Sequence, residues 1–191
     1  MDGPATKLSK FLASTFTPLL NNVSAHINST SSFLEALNSV SNPNYSFASL
    51  DVVDLYGSIP IQDNTFPGVL TIVTDFFERN KRDTALRDLH RDDFNALLHL
   101  CLTSDSIKSG NNTFKQRDGI QMGNNFSCVC AIVFMNYIEH EILSSLGSKI
   151  KFWKRYIDDV FVLFDNLSPT DLLSACNDVH PNIVFYHRRT C

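Results

Sequence analysis

The chain has 191 residues, 43% of them hydrophobic and 15 of them Phe, enough apolar mass for the core of one full domain or a large piece of one. Its net charge of −4 excludes the strong basic excess of a free-standing nucleic-acid binder; if nucleic acid is the substrate, basic surface must come from elsewhere or from a longer chain. Cys101, Cys128, Cys130, Cys176 and Cys191 form no Cys-x-x-Cys pair and read as free thiols of a reducing compartment. Lys7 and Lys10 interrupt any N-terminal apolar run, so no signal peptide is expected. No run reaches the ~18 apolar residues of a membrane span, so no membrane partner is expected.

Residues 7–23 carry Leu8, Phe11, Leu12, Phe16, Leu19 and Leu20 at helical spacing, with Pro18 predicting a kink or break. Ser32-Phe33-Leu34-Glu35 matches a capping box that would open a helix with Phe33, Leu34 and Leu37 on one face. Asn42-Pro43-Asn44 reads as a turn. Phe47, Leu50 and Val52 then suit a strand, ended by Gly57 and Pro60. Asp51 lies inside its apolar part. A lone Asp at a strand end caps a turn more often than it holds a metal, so Asp51 alone decides nothing.

Val69, Ile72, Val73, Phe76 and Phe77 predict a helix over 66–79. The charged stretch Glu78–Asp93 reads as a solvated loop. Phe94, Leu97, Leu98, Cys101 and Leu102 predict the next helix, with Asp92 and Asp93 where its N-terminal dipole favours acids. Gly110-Asn111-Asn112 suits a hairpin turn between Ile107 and Phe114. In Gln116–Ser127, Gly119 and Gly123 precede a long apolar helix, about Cys128 to Leu146. The glycines suggest a close backbone approach, although a flexible loop has the same composition. That helix is apolar on all sides through Met135 and should be central.

Ile150, Phe152 and Tyr156 alternate with Lys151 and Arg155, and an unbroken apolar run follows from Val160 to Phe164. This predicts a β-hairpin turning at Ile157-Asp158-Asp159. Adjacent acids at its tip repel, and burying either one unpaired is costly. A divalent cation removes both objections; an exposed Asp-Asp turn is the alternative. Ser168-Pro169-Thr170-Asp171 predicts a helix start, with Leu172, Leu173, Cys176 and Val179 buried. His180-Pro181-Asn182 ends it and Ile183–Tyr186 begins a strand.

From Phe47 onward the order is strand, helices, hairpin, helix, strand. The expected fold is α+β: a split β-α-β, ferredoxin-like sheet with helices on one face and the first strand beside the hairpin. That arrangement brings Asp51 to Asp158 and Asp159, and three such carboxylates can hold two Mg²⁺ ions about 3.5–4 Å apart.

With these segments placed, the chain resembles the palm of a reverse transcriptase, in wording nearest the Penelope-like retroelements. Ser49–Pro60 resembles their first catalytic motif, and Gln116–Ser127 their Gly-x-x-Met-Gly motif. Arg155-Tyr156-Ile157-Asp158-Asp159 resembles the Tyr-x-Asp-Asp motif, and His180–Phe185 the following palm strand. The resemblance covers about residues 7–188. It implies an N-terminal helical lead-in at 1–45 and a palm at 46–191, with fingers and thumb largely missing. It implies that Asp51 and Asp158 bind two catalytic Mg²⁺ ions, with Mn²⁺ as a possible substitute. Asp159 would support them and the Val52 carbonyl would complete a shell. Tyr56 would stack beneath the nucleotide sugar and exclude a 2′-hydroxyl; on the residues alone Tyr56 is an ordinary half-buried aromatic. Gly119, Met122 and Gly123 would form a platform beside the incoming base pair.

The implied activity is RNA-directed DNA polymerisation from a dNTP on a primed RNA or DNA template. The implied partners also include the missing fingers and thumb of a longer polyprotein, and the setting is intracellular, in nucleus or cytoplasm. The chain departs from the family after Met122-Gly123, where Asn124, Asn125, Phe126 and Ser127 replace a stretch containing two prolines, so a looser loop is expected. A GIY-YIG endonuclease, frequent in the family, is not found. A catalytically inactive palm relic is the first alternative. A split β-α-β RNA-binding module with exposed aromatics on its sheet is a distant third.

Overall fold

A computed structural model describes residues 4–40, 44–104, 107–109, 112–114, 116 and 118–188. The chain divides into two compact units, Met1–Asn22 with Tyr56–Phe134 and Val23–Leu55 with Met135–Cys191.

The first unit is helical, built on aromatic packing. Helix α1 (Pro4–Phe16) stops where Pro18 cannot donate an amide hydrogen, and a 3₁₀ turn, Thr17–Asn22, continues the chain. Phe16 at the end of α1 meets Phe94 of α5 (Arg91–Thr103) with centroids 5.5 Å apart, and Phe126 at 5.0 Å. Phe77 of α4 (Val69–Asn80) stacks on Phe94 at 4.0 Å. All four rings are buried. Phe16, Phe77 and Phe94 are apolar positions that the 3.6-residue period marks, while Phe126 comes from the loop just before the helix that begins at Ser127. Asp92 and Asp93 occupy the first turn of α5 as expected, while His90 is the cap: its Nδ1 accepts from the Asp92 amide at 3.3 Å. The charged stretch after Glu78 is less open than expected, since α4 runs to Asn80 and a 3₁₀ turn follows at Lys81–Asp83. Two short antiparallel strands, Ile107–Ser109 and Asn112–Phe114, form the expected hairpin. Gly110 and Asn111 of its turn lie outside the described residues.

The second unit is a four-stranded antiparallel sheet. β1 is Ser46–Val52, and β2 and β3 are the short hairpin strands above. β4 (Ile150–Tyr156), β5 (Asp159–Phe164) and β6 (Phe185–His187) complete the sheet in the order β4-β5-β1-β6. β1 lies against the hairpin as expected, in a register running from Ser46↔Phe164 to Leu50↔Val160. Its other edge pairs with β6 through Asp51↔Tyr186 and Val52↔Phe185. Ala48, Leu50, Val52, Val160, Val162 and Phe164 point into the core, so by alternation Ser49, Asp51, Asp159 and Phe161 point to the opposite face.

Helix α6 (Ser127–Leu146) matches the long apolar helix read from the sequence. By length and composition it could cross a membrane, but more than half of the relevant window is buried inside the protein, as in a core helix. Helix α7 (Pro169–Asn177) starts as its sequence predicts: the Ser168 hydroxyl accepts from the Asp171 amide at 3.1 Å, with Pro169 in the first turn.

Three local expectations change. The cap of α2 (Thr30–Asn38) is Ser29, and Ser32 takes the role expected of Glu35: the Ser32 amide donates to Ser29 Oγ at 3.2 Å and the Ser29 amide to Ser32 Oγ. The capping box therefore starts three residues early. Helices are not confined to one face of the sheet. Phe33 of α2 meets Phe161 edge-on at 5.3 Å and Phe152 at 6.2 Å on the face opposite Val160, where those rings need cover. Arg155 does not point outward, because a register shift between Ile150 and Phe152 inverts the alternation of β4. Trp153 and Arg155 thus face inward and Tyr156 outward.

Candidate functional site

The carboxylates come together because of the register. Leu50 pairs with Val160, so Asp51 and Asp159 are each one residue beyond that pair, at the same end of neighbouring strands. Asp158 sits on the turn that joins β4 to β5, next to Asp159. All three acids are partly exposed, and Val52 beside them is buried and paired with Phe185. Three acids at one strand end face far more solvent than the apolar runs around them.

Two of these acids already have protein partners. The Tyr186 hydroxyl donates to Asp51 Oδ2 at 2.6 Å, a bond that raises the phenol above its ordinary pKa because it stabilises the protonated form. Arg188 donates through Nη1 to Asp159 Oδ1. Among the described residues no group of three His, Cys, Asp or Glu side chains forms a ready-made metal cluster. Carboxylate oxygens are hard donors of the type that Mg²⁺ takes.

On the same face a cleft of about 450 Å³ opens beside Asp159. The start of α2 (Asn28, Ser29, Thr30), Phe33, Lys154, Tyr156, Phe161 and Arg188 line it. Tyr156, Tyr186 and Phe47 are all exposed on this unit. Tyr186 and Arg188 were not singled out in the sequence. Alternation along the strand puts both on one face, but only the pairing of β6 with β1 brings that face to Asp51.

The other expected residues lie in the first unit. Tyr56, in the single turn of α3 (Leu55–Ser58), is half-buried, and its carbonyl accepts the Ile120 amide at 2.8 Å. Gly119 packs against that same backbone. It has φ +76°, and a Cβ there would lie 2.6 Å from Gly57 Cα and from the Tyr56 carbonyl oxygen. The close approach read from its glycine is therefore one chain segment against another. Gly123 has open space where a Cβ would go, and Met122 is 71% exposed. The loop after Gly123, expected to be loose, has a fastening of its own. Buried Asn124 donates to the Cys101 carbonyl at 2.8 Å and accepts the Phe126 amide at 2.9 Å. These bonds tie down the segment that was expected to be looser.

Beneath the acidic turn lies a buried polar network. Glu139 of α6 and Arg155 of β4 are 1% and 0% exposed. Arg155 donates through Nε to Glu139 Oε1 at 2.7 Å and through Nη2 to Oε2 at 3.1 Å, and Trp153 Nε1 donates to Oε1 at 2.9 Å. Glu139, an acid inside an apolar helix, was the sequence signal for this network.

No protein-family model matches the sequence, and no curated protein matches it. Solved structures match it in fold. An apo telomerase from Candida tropicalis, truncated from its C-terminal domain, aligns at TM-score 0.55 and 12% identity over 98% of this chain. The RNA-dependent RNA polymerase of a human picobirnavirus aligns at 0.57 and 11% over 95%. Telomerase from Candida albicans, in complex with a fragment of telomeric RNA, aligns at 0.56 and 13% over 98%. This chain spans 41%, 34% and 34% of those three chains, in that order. It has an α+β fold that resembles the palm of polymerase-type nucleotidyltransferases.

Proposed function

We propose that the chain is the palm of an RNA-directed DNA polymerase from a retroelement of the Penelope-like kind. The observation that carries this reading is the register that sets Asp51 and Asp159 at one end of adjacent strands, with Asp158 on the turn between them. The palm-like fold of the telomerases and of the viral polymerase supports it. Bound Mg²⁺ would supply charge neutralisation for the triphosphate and a lowered pKa for the primer 3′-hydroxyl. Asp51, Asp158 and the Val52 carbonyl would hold the ions, with Asp159 in support. Each carboxylate would contribute a fixed negative charge to hold a cation beside the primer 3′-hydroxyl and the triphosphate. A metal would compete with Tyr186 for Asp51 Oδ2 and with Arg188 for Asp159 Oδ1, although each carboxylate has a second oxygen to offer. Tyr56 would lie under the sugar of a dNTP, with Gly119, Met122 and Gly123 forming the platform for its base pair. Fingers and thumb from a longer polyprotein would complete the grip on the primed template.

Primer extension by the chain on an RNA template, with dNTPs and Mg²⁺, tests this directly. Extension is expected with the native chain and should vanish with Asp158→Ala; persistence in the variant would sink the two-metal assignment. A changed dNTP/rNTP ratio in Tyr56→Ala is expected if Tyr56 excludes the 2′-hydroxyl. Exposed Tyr156, Tyr186 and Phe47 favour a second reading, a sheet that stacks single-stranded RNA. Metal-independent RNA binding that Asp158→Ala leaves intact would favour it over the polymerase.

A further inference from the structure

The Glu139–Arg155 pair is difficult to justify by stability alone. Apolar residues of similar size often replace a buried ion pair at no cost, so such a pair tends to be explained by what it specifies. Here the bonds indicate what that is. Both Glu139 oxygens are occupied by Arg155 and Trp153, and the remaining guanidinium nitrogen, Nη1, donates to the Ile157 carbonyl at 2.9 Å. The Arg155 backbone is clamped as well: its amide donates to the Ala25 carbonyl at 2.8 Å, and its carbonyl accepts from the Ile27 amide at 2.9 Å. Ile157 itself has φ +56°, a conformation that a β-branched residue avoids unless its surroundings impose it. Asp158 is the next residue.

We infer that Arg155 is a positioning residue: anchored on buried Glu139, it holds the Ile157 carbonyl and so fixes the turn that presents Asp158 and Asp159. The assignment of those acids as metal ligands rests on the polymerase reading; the holding of the turn does not. Arg155 is itself 0% exposed, so it acts on the turn from within the protein. Its effect passes through one carbonyl of a left-handed residue, which makes that residue's backbone the part that moves when Arg155 is lost.

The test uses the full chain, amide hydrogen exchange resolved by residue, and Mn²⁺ titration followed by electron paramagnetic resonance. In a triple variant, Trp153→Phe, Glu139→Leu and Arg155→Met make the network apolar without stranding a buried charge. It should fold with a thermal midpoint near the native one. Exchange at the amides of Ile157, Asp158 and Asp159 should accelerate about tenfold, as expected for one lost charge-assisted hydrogen bond, while β1 and β6 are unchanged. Mn²⁺ affinity should fall by a similar factor. Arg155→Lys retains a cation for Glu139 but lacks the fork that also reaches Ile157, so it should show the same local effect. A folded triple variant whose three amides exchange within about twofold of native would overturn the inference. So would failure of both variants to fold, which would assign the network to stability alone. A native chain that binds no Mn²⁺ would sink the two-metal reading, and amide exchange would still decide the role of Arg155.

Discussion

Gly119→Ala and Gly123→Ala separate what the fold requires from what the proposed chemistry requires. Both glycines belong to the platform expected for the nucleotide, yet their surroundings differ. At Gly119 an added Cβ meets the Gly57 Cα, the Gly57 oxygen and the Tyr56 oxygen, each at 2.6 Å, and all are backbone atoms that cannot rotate away. The positive φ costs an L-residue about 1–2 kcal/mol by itself. Relieving the clash means separating the two segments and stretching the bond from the Ile120 amide to the Tyr56 carbonyl, worth about 1 kcal/mol more. The expected loss is therefore about 2–3 kcal/mol, or roughly 4–12 °C in thermal midpoint for a chain of this size. At Gly123 nothing lies within 4 Å. Gly123→Ala should change stability by no more than about 0.5 kcal/mol, while any effect on dNTP use remains visible. Urea denaturation of the two variants side by side is the assay. Equal stability in both would refute the reasoning, because it would mean that Gly119 is not pressed against the Tyr56–Gly57 backbone.

Ser168→Ala should cost about 1 kcal/mol by removing the cap bonded to the Asp171 amide, measured by the same denaturation. Glu139→Ala should cost about 3–5 kcal/mol, because it leaves the Arg155 guanidinium buried without its counter-charge; a loss under about 1 kcal/mol would contradict the burial of that pair. His26 has its pKa lowered from 6.5, first by burial and then by Arg155, with Glu139 opposing. The folded chain thus binds fewer protons than the unfolded one, so the contribution of His26 is present above pH 6.5 and is lost as pH falls through the lowered folded value. His26→Gln should flatten the decline of the thermal midpoint on the acid side of pH 6.5; His180, also lowered by burial, leaves a residual slope.

The sequence was most informative where local chemistry and tertiary position agree. The hairpin around Asp158 was readable because apolar runs flank two acids, and the start of α7 because Ser168, Pro169 and Asp171 each satisfy a helix terminus. The side on which Arg155 lies was not readable. Alternation along β4 points it outward, and only the irregularity between Ile150 and Phe152 turns it in. The partners of Asp51 and Asp159 were hidden for a different reason: Tyr186 and Arg188 reach them only through the register of β1 with β6, a pairing that no local pattern encodes. Gly119 was singled out for the right property, a close backbone approach, and the structure gives it the Tyr56–Gly57 backbone as a neighbour.

The strand order has a consequence for synthesis. β1 is made before both of its neighbours, β5 and β6, with the helices α3 to α6 synthesised in between. Until they emerge, β1 has two open edges and apolar residues at Ala48, Leu50 and Val52 with nothing to cover them. Pairing of such high sequence separation is slow, and an unpaired edge is a template for other chains. A ribosome that stalls before Phe164 would release a polypeptide ready to aggregate, so the half-made chain calls for a chaperone more than the finished one does.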